Sequence, residues 1–457
     1  MTVKLKNIGI LKQAEFSLGD LTLICGENNT GKTYAACVLF GFLKSWHQFI
    51  RFPISDAQIQ RALTKQVKIE LVPATDDLLT EACRKYTEQL DTIFAAPEGT
   101  FQKSEFYFMT DEIDIQGKQF NSLFTGLQSF LFSKGKGSEA AILTSRTTKK
   151  QEEKKIDTDS VKSFIDFVII EHIFSGSLPR PFISSAERTG ISTFRKELNF
   201  ARSQLLKDMA RADQQTDLRG LLSKAYQSYP SSIGTDVDFM GQLEDIAKSK
   251  SFIAKEHPEI LEDFVDIIGG EYTITQNDQL YYIPKGTRLK LTMVESSSAV
   301  RSLLDLSFYL NCIAEKGDLL MIDEPELSLH PENQRRIARL FARLVNLGVK
   351  VFITTHSDYI VKELNTLIML NHDKPHLKRV AEENGYQESE LINADQVKVY
   401  VAEEKLMPLE EGQKRRRRGH TLVPAKIHPR FGIGVSSFDK TIDDMNRIQD
   451  EIVWGEE

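Results

Sequence analysis

Apolar and polar positions alternate over residues 3–18, with a polar break at Asn7-Ile8-Gly9, and this predicts two antiparallel strands joined by a turn. The continuous apolar run Leu21-Thr22-Leu23-Ile24-Cys25 reads as a buried strand, and residues 34–44 read as a helix. Alternation returns at 66–72, 101–109 and 112–115, around an amphipathic helix predicted over 76–93, which suggests a small sheet built beside the first elements. Residues 134–157 are polar with both signs of charge; a solvated loop is the plainer reading and a nucleic-acid contact the other. A helix over 160–174 leads to a second buried strand at 180–185. That strand ends in Ala186-Glu187-Arg188-Thr189-Gly190, either a surface turn or a group close to a ligand at the carboxyl end of the sheet.

Residues 191–268 are rich in helix formers, broken near Tyr229-Pro230 and His257-Pro258, and predict a helical insert of several segments. Strands follow at 271–275, 280–284 and 289–293, the first two joined by a turn at 276–279. Glu295-Ser296-Ser297-Ser298 then opens an apolar helix predicted over 302–313. Leu319-Leu320-Met321-Ile322 is a short buried strand ending in Asp323-Glu324-Pro325-Glu326, and the tight loop Leu327-Ser328-Leu329-His330-Pro331 precedes an amphipathic helix over 332–346. Another buried strand, 349–355, ends in His356-Ser357, and a last helix is predicted over 439–453.

The chemistry concentrates where these strands end. Gly26-Glu27-Asn28-Asn29-Thr30-Gly31-Lys32-Thr33 fits G-x-x-x-x-G-K-[ST] at every fixed position and lies between a strand and a helix, the setting of a phosphate-binding loop. Its glycines let the backbone curl so that N–H groups face phosphate oxygens, and the helix adds its positive end. Lys32 would reach the β- and γ-phosphates of a nucleotide such as ATP, and the Thr33 hydroxyl would sit on Mg²⁺. A carboxylate pair at the end of a buried strand is costly unless it has a partner, so Asp323 is the expected second Mg²⁺ ligand. Glu324 is the expected group that orients or deprotonates the attacking water, and His356 a sensor of the γ-phosphate. Ser296, Ser297 and Ser298 at a helix start are expected to form an anion contact; an ordinary cap would use one serine, not three.

Composition narrows the setting. At 457 residues the chain has room for roughly two or three domain-sized units. With 41% hydrophobic and 27% charged residues it has the composition of an ordinary globular protein. A net charge of −7 argues against wholesale nucleic-acid binding and leaves local patches to carry it, the sharpest being Lys414-Arg415-Arg416-Arg417-Arg418. That run reads as a solvated loop, a contact to an acidic protein surface, or a nucleic-acid contact. Cys25, Cys37, Cys83 and Cys312 are scattered, so neither zinc nor a disulfide framework is expected, and a reducing cytoplasm is the simplest home. Residues 164–174 are interrupted by Asp166, Glu171 and His172, so no membrane span is expected.

The order of these parts resembles the ABC-type ATPases of the RecF, SMC and overcoming-lysogenization-defect lineage, and within it the head-only ATPases of phage-defence systems. The resemblance covers roughly residues 1–45 and 180–370. It implies an α/β ABC-ATPase head with a mixed central sheet, an N-terminal antiparallel β lobe and a helical insertion. The corresponding division is 1–190 with Walker A and the β lobe, 191–268 as insertion, 269–370 with the remaining motifs, and 371–457 as a partner or assembly extension. By resemblance, residues 26–33 are Walker A, Ser296 to Ser298 the signature, Asp323 and Glu324 Walker B, 327–330 the D-loop, and His356 the switch histidine. The glycines of the usual Leu-Ser-Gly-Gly-Gln signature are absent, with Ala299 and Val300 in their place.

In that lineage two heads sandwich ATP, so a homodimer is the minimum unit and a higher assembly is expected. The resemblance further implies a Toprim-type nuclease acting in trans, and a phage-encoded trigger protein that is acidic or DNA-mimicking. The last residues offer no spaced Asp-x-Asp metal pair, Asp443-Asp444 being adjacent, and His420 and His428 stand alone, so no nuclease site is expected in the chain itself. Direct nucleic-acid binding is left open, and a RecF-like ATPase clamping DNA between dimerised heads is the alternative.

Overall fold

The structure, a computed structural model, describes residues 1–110, 113–125, 129–146, 157–174, 176–198, 229–275, 279–408, 416–434 and 445–452. The chain divides into two compact units, one of residues 1–4, 42–89 and 104–180, the other of residues 5–41, 90–103 and 181–457.

The second unit is built on an α/β arrangement with a mixed sheet. Strands Val397–Pro408, Leu21–Cys25, Lys350–Thr355, Leu319–Asp323 and Pro181–Ser184 lie side by side in that order, all parallel. Beyond Val397–Pro408 the sheet continues through Arg416–Pro424, antiparallel to it, to Leu11–Ser17. The inner strands are apolar on both faces, as a parallel sheet covered by helices requires: Leu21, Leu23, Leu320, Ile322, Val351 and Ile353 are all buried. Helices Pro331–Asn346, Asp358–Leu370 and Pro258–Ile268 supply the opposing side chains, among them Ile337, Phe341, Leu364 and Phe264. A second apolar cluster joins Leu304 and Phe308 to Phe239, Leu243, Leu280 and Tyr282, beneath the antiparallel sheet Gly270–Ile274, Leu280–Pro284 and Leu291–Thr292.

The first unit holds an antiparallel sheet ordered Val67–Glu70, Ala140–Ser145, Ser129–Lys134, Phe120–Thr125. Helices Asp56–Ala62, Val72–Thr87 and Thr158–Ile169 belong to it, the last running on into a π-helical turn, Ile170–Phe174. Phe42, Tyr86 and Phe106 pack mutually with ring centroids 4.9 to 5.4 Å apart.

Several sequence expectations meet a different structure. Ala140–Ser145 is a paired strand inside the stretch read as a polar loop; its short apolar run Ala140-Ala141-Ile142-Leu143 is outweighed by the charge runs beside it. Residues 113–115 form no strand, and Glu112 lies outside the described residues. The helix expected over 302–313 is three short pieces, Ser298–Ser302, Leu304–Phe308 and the π-helical Tyr309–Ile313. Of the expected insert, residues 199–228 lie outside the described residues, while 231–241 and 258–268 are helical. The 276–278 turn, residues 147–156, Lys414, Arg415 and Asp443-Asp444 also lie outside them. Arg416–Arg418 are not in a loop: they open a strand and pair with Leu406–Pro408. The expected C-terminal extension enters the sheet itself, with Val397–Val401 in register beside Leu21–Cys25. No helix among the described residues is long and apolar enough to cross a membrane.

Candidate functional site

The parallel strands Leu21–Cys25, Leu319–Asp323 and Lys350–Thr355 end at the same level, because their register pairs Cys25 with Thr355 and Asp323 with Thr354. Everything that follows these residues therefore emerges on one edge, where open α/β sheets place ligands. After Cys25 the backbone takes positive φ at Gly26 (+141°), Asn29 (+61°) and Gly31 (+98°), which curls it into a loop before helix Lys32–Ser45. Glycine is required twice over at two of these positions. A Cβ on Gly26 would stand 2.5 Å from the Ala402 carbonyl oxygen, and one on Gly31 2.7 Å from Leu11 Cγ. Lys32 Nζ donates to the carbonyls of Gly26 (2.9 Å) and Glu27 (2.7 Å), and Thr30 Oγ1 donates to Glu27 (2.7 Å). The ammonium is thereby held in the curl of the loop, with its pKa lowered by burial against the attraction of Glu324, Asp323 and Glu326.

Thr33 Oγ1 donates to Asp323 Oδ1 at 3.3 Å, joining residues 290 positions apart. The same oxygen accepts from Thr354 Oγ1, and burial raises the Asp323 pKa above the ordinary carboxylate value. A hydroxyl and a carboxylate are the hard oxygen donors that suit Mg²⁺. Among the described residues no group of three or more His, Cys, Asp or Glu could hold a metal ion alone. An Mg²⁺ ion on Thr33 and Asp323 would take its other oxygens from water and phosphate, its usual habit in nucleotide sites. A buried Glu326 Oε2 with no hydrogen-bond partner beside this cluster fits a site completed by polar ligands.

Glu324 follows with φ +53°, a left-handed conformation that costs a non-glycine residue about 1–3 kcal/mol and persists where its surroundings enforce it. Its N–H donates to the Thr354 carbonyl at 3.0 Å, and its carboxylate lies 3.5 Å from His356 Nδ1. Glu326, whose part the sequence does not announce, fixes the histidine: its Oε1 accepts from Thr355 Oγ1 (2.7 Å) and the His356 N–H (2.8 Å) and lies 3.2 Å from His356 Nδ1. His330 caps helix Pro331–Asn346, its Nδ1 accepting from Glu332 N–H at 3.3 Å.

Arg188 is not at the surface. It is fully buried and its guanidinium donates to the carbonyls of Asp323 and Glu324, both at 2.6 Å, as well as to Ser185 and Ser302. Burial depresses its pKa, opposed by Asp305, Asp236, Asp323 and Glu326. Glu187, beside it, is exposed. Asp236 accepts from Ser185 N–H (2.8 Å) and Asp305 from Ser184 Oγ (3.2 Å), and burial lifts both carboxyls, Asp305 to about 7.

The expected residues Lys32, Thr33, Asp323, Glu324 and His356 are thus brought together by hydrogen bonds, shared strand ends and close charge contacts. The serines make local bonds instead. Ser296 Oγ donates to the Thr292 carbonyl (2.8 Å) and is buried, Ser297 Oγ accepts from Val300 N–H (3.3 Å), and Ser298 is exposed. One serine therefore is the ordinary cap, and Ser297 and Ser298 face solvent at the start of a short helix.

No curated protein matches the chain. Among solved structures, the SMC head domain from Thermotoga maritima is similar at 10% identity over 93% of this chain and 98% of its own, with a TM-score of 0.30. The SmcHead bound to the C-winged helix domain of ScpA is similar at 12% identity over 93% and 97%, with a TM-score of 0.34. Residues 1–361, which include the phosphate loop, both strand-end carboxylates and His356, match the AAA ATPase domain model, and the chain belongs to that family.

Proposed function

We propose that the chain is an ATP-binding and ATP-hydrolysing subunit that works as a paired head, and that it is the sensor and scaffold of an antiviral defence complex. The observation that carries the nucleotide reading is the Thr33–Asp323 contact, which makes one site of two distant stretches. In this reading residues 26–33 and Lys32 hold the triphosphate. Mg²⁺, when bound, neutralises charge on the phosphate oxygens. Glu324 orients or deprotonates the attacking water, and His356, steadied by Glu326, reads the terminal phosphate. Ser297 and Ser298 meet the nucleotide of a second copy.

The defence role rests on the order of motifs, which resembles AriA, the ATPase of the PARIS phage-defence system. It implies a separate Toprim-type nuclease held by the assembly and released when a phage anti-restriction protein is sensed. Co-purification of the chain with a Toprim-type nuclease encoded beside it, followed by mass measurement with and without ATP, tests this. A nuclease that co-purifies and leaves on addition of trigger supports the role. Turnover stimulated by DNA alone, with no nuclease bound, would replace it with the RecF-like clamp.

A further inference from the structure

Arg188 spends its hydrogen bonds on main-chain carbonyls. Nε donates to Ser302 (2.8 Å), Nη1 to Ser185 (2.7 Å) and Asp323 (2.6 Å), and Nη2 to Glu324 (2.6 Å). Ser302 is the last residue of the serine helix, Asp323 the last of its strand, and Ser185 directly follows strand Pro181–Ser184. One planar cation thus spans three elements. Its N–H groups are fixed in a common fork, so a displacement of the helix at Ser302 is either passed to the Glu324 peptide or breaks a bond.

The Glu324 peptide is the place where such a displacement has consequences. Its φ of +53° puts it outside the ordinary wells, and its carbonyl accepts from both Arg188 and Leu327 N–H (3.1 Å). Acidic groups converge on the guanidinium from the other elements around it: Asp236 from helix Ser231–Gly241, Asp305 from helix Leu304–Phe308, Asp323 from the end of its strand, and Glu326 from the loop after it.

We propose that Arg188 is the positioning residue that couples the serine helix to Glu324, so that engagement of Ser297 and Ser298 by the triphosphate of an opposing copy sets the angle of the base. The coupling rests on the head-pairing reading given above. It makes Arg188 a relay and not a ligand of the nucleotide.

The test uses the full-length chain with Arg188→Lys and Arg188→Met. Lysine keeps the charge and loses the fork. The expected result is a KM for ATP within about twofold of the unaltered chain, a kcat lower by about tenfold or more, and a Hill coefficient for ATP falling to 1. Hydrogen exchange provides a readout on the unaltered chain: ATP should slow exchange at residues 298–302 and 324–327 together. Full kcat and cooperativity in Arg188→Lys, or protection of one segment without the other, overturns the coupling alone. Turnover in the unaltered chain that is first order in protein with a Hill coefficient of 1 overturns the pairing, and the coupling with it.

Discussion

In the proposed function Lys32 serves binding and Glu324 the chemistry, and substitution separates the two. Lys32→Ala should abolish nucleotide binding in a fluorescent-ATP titration, because the buried ammonium bonded to Gly26 and Glu27 is the cation inside the loop. Glu324→Gln should bind ATP normally and hydrolyse it at least about a hundredfold more slowly. Turnover at the unaltered rate would remove Glu324 as the base. The buried carboxyls behind the site predict a pH effect of definite sign. Burial holds Asp305 protonated up to about 7, whereas the unfolded chain loses that proton at the ordinary carboxylate value of about 4. The folded state therefore carries the extra proton between these values, and the stability it brings is complete below about pH 4 and lost as pH rises through about 7. Asp305→Asn, which retains an acceptor for Ser184, should flatten the fall in melting temperature between pH 5 and 8; an unchanged slope would assign the effect elsewhere. At this scale the residues with a motif were legible and their supports were not. Arg188 donates to main-chain carbonyls distant in sequence, and Glu326 accepts from the Thr355 hydroxyl and the His356 N–H; a main-chain partner leaves no mark on the sequence of the residue that bonds it.

Among the elements, the strand–loop–helix around residues 21–45 was legible because apolar runs, glycines and a helix period coincide there. The strand Val397–Pro408 was not, since nothing local announces that it lies beside Leu21–Cys25. That neighbour acts directly on the phosphate loop, because the Ala402 carbonyl occupies the space a side chain on residue 26 would need. Gly26→Ala should therefore weaken ATP binding by more than tenfold while the melting temperature drops only a few degrees, the defect being local to the loop. Equal affinity in a nucleotide titration would show that the loop and the strand yield to each other. The strand Ala140–Ser145 was hidden for a different reason: the flanking polar runs outweighed six residues in any average over the stretch.

For the whole molecule, an α/β architecture was legible from strands alternating with helices, and the second unit bears it out in a sheet of mixed direction. The division into units was harder to read, since residues 42–89 and 104–180 separate from their sequence neighbours 5–41 and 90–103 only through contacts in three dimensions. If ATP is sandwiched between two copies, Glu324→Gln with ATP and Mg²⁺ should sediment at twice the mass of the same protein with ADP. A constant monomer mass would exclude the sandwich.

Strand Leu21–Cys25 has Lys350–Thr355 on one side and Val397–Pro408 on the other. During synthesis at the ribosome, the earliest buried strand must therefore wait, with both edges unpaired, until most of the polypeptide has been made. Translation products halted before residue 397 should recruit chaperones and fail to retain ATP, although they already contain every residue assigned to its phosphates.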